Sequence, residues 1–174
     1  MDSNFVKQSR TLANRLRHRE DLIDRRGWAS VDAICRVCNI EMSLLERLVY
    51  NDDKGRYEFS DDMLSVRALY GHSVDVDLGL SPSIPPMPLY HGTAEKYLNA
   101  ILFEGLQPRS RNSVHLSESV EQATSVGARH GVPIVLQIDT EAMMRDGFKF
   151  YRTKNGIWLT DNVPSQYILE CQMK

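Results

Sequence analysis

Apolar positions follow two different periods, and the change between them divides the chain. Over residues 5–18 the period is helical, with Leu12, Ala13 and Leu16 on one face and Arg10, Asn14 and Arg17 on another. A second helix is expected to begin at Ser30. A third is expected at Ser43, where Glu46 three residues on would complete a reciprocal capping box. Residues 56–60 and 64–69 then read as two strands turning at Asp61-Asp62. Helices followed by a hairpin suggest a winged-helix unit.

Beyond residue 88 the pattern is shorter-ranged. Residues 94–104 read as a helix with Tyr97, Leu98, Ile101 and Leu102 inward and Gly105 as its stop. Residues 114–117 read as a short strand, and Ser119 with Gln122 caps a helix running toward Arg129. The apolar run 134–138 reads as a buried strand, with further short strands at 148–151, 157–159 and 167–171. Between the two patterns, residues 79–88 hold four of the seven prolines, each restricting the residue before it to extended geometry. The expected organisation is therefore α+β, with a lobe over 1–78, a proline-rich linker over 79–88 and a second lobe over 89–174. Neither lobe reaches ~100 residues, so the two are expected to pack together.

At 174 residues, 42% hydrophobic and 25% charged, the composition is that of a folded globular chain. No apolar run approaches the ~18 residues of a membrane span, so no membrane association is expected. The start Met1-Asp2-Ser3-Asn4 lacks a secretory signature, and three cysteines do not make a disulfide framework, so the expected setting is cytoplasmic. Cys35 and Cys38 form a C-x-x-C in the expected second helix. Zinc wants four ligands and no second pair exists, so they read as packing residues, with no metal. The net charge of −2 advertises no nucleic acid, yet residues 5–19 hold Lys7, Arg10, Arg15, Arg17 and Arg19 and no acid. Nothing calls for an obligate protein partner, and a monomer is expected.

The five histidines stand in Arg17-His18, Gly71-His72, Tyr90-His91-Gly92-Thr93, Val114-His115-Leu116-Ser117 and Arg129-His130-Gly131. None has metal-ligand spacing, but each adjoins a Gly, an Arg or a strand end, where main chain and side chain approach a ligand together. Arg17, Arg67, Arg109, Arg111 and Arg129 lie beside these strings or at glycine turns, which points to an anionic ligand such as phosphate. No Walker loop, dinucleotide fingerprint, nucleophile elbow or glycosidase carboxylate pair is present.

At these same residues the chain resembles the RNA 2′-phosphotransferases, NAD-dependent enzymes that act on tRNA splice junctions. The matching strings begin with Leu16-Arg17-His18, Gly27-Trp28, Val66-Arg67-Ala68, Gly71-His72-Ser73 and Leu89-Tyr90-His91-Gly92-Thr93. They continue, in the family's order, with Gly105-Leu106, residues 111–117, residues 126–131 and residues 155–160. The resemblance implies a winged-helix RNA-binding lobe followed by an ADP-ribosyltransferase-like lobe that binds NAD as a consumed co-substrate. It implies Arg17, His18, Arg67 and Arg129 as catalytic residues. His91, Gly92, Thr93, His115, Leu116, Ser117 and Ile157 would bind NAD, while Arg17, His18, Arg67, His72 and Arg111 would face the 2′-phosphorylated RNA. The chain departs from the family in a shorter segment between His18 and Gly27, and in Tyr70 where Gln is commoner.

The implied reaction has two steps. An internal RNA 2′-phosphate attacks the nicotinamide-bearing ribose carbon of NAD, giving a 2′-phospho-ADP-ribosylated RNA. The ribose 2″-hydroxyl then attacks phosphorus, freeing 2′-OH RNA and ADP-ribose 1″,2″-cyclic phosphate. A phosphate monoester's second pKa is about 6, so the first nucleophile needs no base, only positioning and charge neutralisation by arginine. Many ADP-ribosyltransferases carry a glutamate at the third position of their active-site triad. Ile157 is inferred to stand there instead, and an apolar residue does not repel an incoming phosphate. His18, with an ordinary pKa of about 6.5, suits protonation of the departing RNA oxygen. Two other readings are an ADP-ribosyltransferase acting on terminal phosphates or protein, and a winged-helix nucleic-acid-binding regulator. Against the regulator, residues 43–51 offer only Arg47 as a cation, beside Glu46.

Overall fold

The computed structural model describes residues 3–173, with side chains from 4 to 169. The chain divides into two compact units, residues 1–79 and 80–174.

In the first unit, α1 (Ser3–His18), α2 (Val31–Cys38) and α3 (Met42–Tyr50) bury Leu12, Leu16, Ile34, Leu45 and Leu48 against Val66. Strands β1 (Trp28–Ser30), β2 (Tyr57–Phe59) and β3 (Ser65–Ala68) form an antiparallel sheet with β3 in the centre. The hairpin is where alternation places it. Its register sets Trp28 and Glu58 directly opposite Arg67, one on each neighbouring strand. Such cross-strand neighbours share a face. Arg56 ties α1 to β2: it pairs with Asp52, donates from Nη2 to Ser9 Oγ at 3.0 Å, and is followed by Tyr57, whose hydroxyl donates to Ser9 O at 3.2 Å.

The expected capping box at Ser43 does not form. Helix α3 starts one residue earlier, and its N-cap is Glu41, which makes no side-chain capping bond. The Glu41 carbonyl accepts from both Leu44 and Leu45 N–H, so main chain and core packing fix this helix start. Cys35 and Cys38 lie on α2 as free thiols, and burial pushes both above the ordinary cysteine pKa. They act as packing residues.

The second unit contains two antiparallel three-stranded sheets. One orders β4 (Leu89–Ala94), β6 (Pro133–Ile138) and β9 (Ile168–Met173); the other orders β5 (Val114–Leu116), β8 (Trp158–Thr160) and β7 (Tyr151–Arg152). Leu89, Leu116, Ile134, Leu136, Ile138, Met143, Phe150 and Trp158 fill its core. The expected strand at 148–151 reduces to its last residue, because Phe150 is buried in the core and pairing begins at Tyr151. A helix not anticipated, α6 (Thr140–Arg145), is capped by the Asp139 carboxylate, which accepts from Ala142 N–H at 2.9 Å.

Helix α4 (Leu98–Glu104) is preceded by a separate 3₁₀ turn, Glu95–Tyr97. The tighter turn breaks the helical phase. Ile101 is buried as expected, but Tyr97 and Leu102 are nearly half exposed, which corrects their inward placement. Residues 80–88 are sewn onto this unit: Ser83 N–H donates to Phe150 O at 2.8 Å, and Thr140 Oγ1 donates to Pro86 O at 2.9 Å.

Candidate functional site

In the first unit the candidate side chains gather around the C-terminal end of α1 and the face of β3. Arg17 lies in the last turn of α1, with its guanidinium 4.8 Å from the centre of the Tyr70 ring. Its Nε and Nη2 are buried and have no hydrogen-bond partner among the described residues. A buried donor left unmade costs about 1–3 kcal/mol, more when charged, so this edge is suited to receive an anion. His18 ends the helix, and its Nδ1 lies 2.7 Å from Ser73 Oγ. The same Ser73 donates its backbone N–H to Arg17 O at 3.0 Å, so one residue touches both members of the pair. His72 is 3% exposed, and its ring lies against Gly27. A Cβ at Gly27 would come within 3.3 Å of His72 Nε2, and φ is +76° there, so this turn requires glycine.

Arg67 is held differently. Its Nε donates to Glu58 Oε1 at 2.7 Å and its Nη2 reaches the same oxygen at 2.6 Å. Nη1 donates to Arg26 O at 3.2 Å, and the guanidinium sits 4.3 Å from the centre of the Trp28 ring. Pair and stack follow directly from the strand register. Glu58 is the residue that sequence reasoning missed here; its place opposite Arg67 in the hairpin was the available signal.

In the second unit the two candidate strings are joined by main chain. Tyr90 N–H donates to Ser117 O at 2.9 Å, and Ser117 N–H returns to Tyr90 O at 2.8 Å. This pair brings His91, Gly92 and Thr93 on β4 beside His115, Leu116 and Ser117 on and just after β5. His91 Nδ1 donates to His115 O at 3.0 Å. Burial holds the His91 pKa below the ordinary histidine value, and the carbonyl bond opposes this only in part. The ring is therefore neutral, with its proton on Nδ1.

Helix α5 (Val120–Gly127) presses on β4 through two glycines. A Cβ at Gly92 would lie 1.7 Å from Ala123 O, and one at Gly127 would lie 2.3 Å from Thr93 O. The Ser119 cap forms as expected, its Oγ accepting from Gln122 N–H at 3.2 Å.

Ile157 is buried just ahead of Trp158, which pairs with Leu116. Its N–H donates to Thr153 Oγ1 at 2.9 Å. Glu118, also missed from sequence, accepts from Trp158 Nε1 at 2.8 Å and from Arg152 Nε at 3.1 Å. The indole bond, followed by the arginine, holds its carboxyl below the usual range. Arg129 lies just past α5, exposed, and Arg111 is half-buried in the turn that starts at Pro108. Among the described residues no group of His, Cys, Asp and Glu is placed to hold a metal ion, and no helix is long and apolar enough to cross a membrane.

Residues 3–162 match the family model described as RNA 2′-phosphotransferase, Tpt1/KptA family. Curated relatives named "Probable RNA 2′-phosphotransferase" align over nearly the whole chain. The protein of Acaryochloris marina is 41% identical over 181 residues, covering 99% of this chain and 100% of that protein. That of Fusobacterium nucleatum is 43% identical over 175 residues, covering 95% and 98%. That of Hahella chejuensis is 42% identical over 177 residues, covering 97% and 95%.

Proposed function

The chain belongs to the RNA 2′-phosphotransferase (Tpt1/KptA) family, and from that premise we propose that it transfers an internal RNA 2′-phosphate to NAD. As a member of the family it is a transferase that removes a 2′-phosphate from RNA. The proposal adds the co-substrate, the residues and the order of events. Products would be 2′-OH RNA, nicotinamide and ADP-ribose 1″,2″-cyclic phosphate. On this reading the first unit is the winged-helix RNA lobe and the second the ADP-ribosyltransferase-like lobe. Three helices with a small antiparallel sheet, and paired short-stranded sheets, support the two assignments respectively.

The observation that carries the proposal is the Arg17 guanidinium, whose buried Nε and Nη2 have no hydrogen-bond partner among the described residues. Such an edge matches two oxygens of a phosphate. The 2′-phosphate is anionic without assistance near neutral pH, so the residues around it orient it and balance its charge. In the first unit Arg67, already paired with Glu58, would reach the phosphate with its remaining N–H groups, and buried His72 would shape the RNA-facing turn; in the second unit Arg129 and Arg111 are the candidate cations for phosphate and RNA. When the RNA 2′-oxygen departs, His18 supplies the proton it needs.

The second unit fits NAD by the chemistry of its strings. His91 is held uncharged near neutral pH, Gly92 lets α5 lie directly on β4, and Thr93 and Ser117 are hydroxyls buried to 6% and 7% exposure. His91, Gly92, Thr93, His115, Leu116, Ser117 and Ile157 would hold it. NAD, when bound, supplies the electrophilic ribose carbon that accepts the phosphate. Ile157 keeps carboxylate charge away from the incoming phosphate, and the nearby Glu118 is engaged by Trp158 and Arg152.

The test is one incubation of the protein with a short RNA carrying a single internal 2′-phosphate, with and without NAD. Loss of that phosphate together with appearance of the cyclic phosphate, both only with NAD, is the expected result. An RNA that keeps an ADP-ribose adduct would instead mark a transferase arrested after its first step, and an unchanged RNA would refute the proposal.

A further inference from the structure

We propose that Ser73 is the positioning residue of the Arg17–His18 pair, and that its hydroxyl holds the Nδ1 proton of His18 so that Nε2 is the nitrogen that gives its proton up. The inference rests on the reading of His18 as proton donor and extends it to a residue that does not itself touch the reacting atoms. Two contacts carry it, made by separable parts of one residue. The Ser73 backbone N–H donates to Arg17 O at 3.0 Å, closing the end of α1, while Ser73 Oγ lies 2.7 Å from His18 Nδ1.

The acid form of histidine is the imidazolium, with a proton on each nitrogen, and the bond made by one nitrogen decides which proton is left to give. With Nδ1–H donating to the Ser73 hydroxyl, the proton on Nε2 is the one transferred to the departing RNA oxygen, and the neutral ring that remains keeps its proton on Nδ1. His91 is held in the same way by main chain: its Nδ1 faces a carbonyl, which can only accept, so its proton is on Nδ1. A hydroxyl in one case and a carbonyl in the other thus hold the Nδ1 proton.

Ser73→Ala removes the hydroxyl and keeps the backbone N–H, so the Arg17 contact and the melting temperature should stay as they are. In the free protein, at a pH where the ring is neutral, ring ¹⁵N shifts should report His18 protonated on Nδ1 in the native chain and a mixture of tautomers weighted toward Nε2 in Ser73→Ala. With RNA and NAD, Ser73→Ala should lower kcat about tenfold and leave KM within about twofold, as expected for a group acting through the proton donor. Ser73→Thr, which restores a hydroxyl, should recover both the shifts and kcat. Unchanged shifts and kcat in Ser73→Ala would overturn the proposal, as would a Ser73→Thr as impaired as Ser73→Ala. If the native chain removes no phosphate from the RNA, the functional reading fails, while the tautomer in the free protein still decides the role of Ser73.

Discussion

The two units hold their candidate side chains by different means. In the first, each side chain is held mainly by another side chain: Arg17 by the Tyr70 ring, His18 by the Ser73 hydroxyl, Arg67 by Glu58 and Trp28 with one further bond to the Arg26 carbonyl. In the second, the holding is done by main chain. His91 donates to a backbone carbonyl, the two strings are joined by the Tyr90–Ser117 backbone pair, and α5 meets β4 through glycines. A site held by side chains can be retuned by single substitutions without loss of fold. One held by main chain ties its chemistry to the integrity of the sheet.

Gly92→Ala is expected to have the largest effect, because it strikes the main chain that holds the second unit. The added methyl would enter the space of Ala123 O at 1.7 Å, where backbone rather than a flexible side chain must yield. Overpacking of this kind costs about 1–3 kcal/mol, and more where backbone is struck. Thermal melting should show the second unit lost or greatly destabilised; a melt within a few degrees of native would show that α5 can move off β4.

Glu58→Gln is the counterpart in the first unit. It keeps the shape and removes the charge that orients the Arg67 fork, so kcat/KM should fall about tenfold while the protein remains folded. Steady-state kinetics beside a circular dichroism spectrum would check this. Loss of fold would show that the Arg67–Glu58 pair holds the sheet together as the main-chain contacts do in the second unit.

The smallest expected effect is a pH dependence. His91 has a folded-state pKa below its unfolded value of about 6.5, so the unfolded chain binds the additional proton as pH falls through that value. Its contribution to stability is complete above about pH 6.5 and is lost progressively below it. Urea unfolding from pH 7.5 downward should show this decline, and His91→Gln should flatten that part of the curve. A native curve already flat over this range would contradict the neutral assignment.

Much of the first unit was legible because its signals are local. Helix α1, the hairpin and the apolar run of β6 in the second unit each follow from a period within a dozen residues. What escaped was set from farther away. Strand β1 is three residues long and exists because β3 lies beside it. The 3₁₀ turn at Glu95–Tyr97 shifted a helical phase that a single window reads as continuous. The candidate residues were readable as strings because each string carries its own Gly, Arg or His, but their partners were not. Ser73 lies 55 positions from His18, and Glu58 meets Arg67 only through the hairpin register. Glu118 is a surface acid in sequence and becomes the acceptor of a buried indole only once β8 lies beside β5.

The Tyr90–Ser117 pair also bears on how such a chain can change over generations. Because two backbone hydrogen bonds fasten residue 90 to residue 117, the strings on either side share one register. An inserted or deleted residue within 90–93 or 115–117 would turn every following side chain of that strand to the opposite face and unfasten the other string with it. The turns at 107–113 and 153–156 lie outside this splice and can lengthen without disturbing it. Innovation in the second unit is therefore channelled into its turns, while the two strings change by substitution alone.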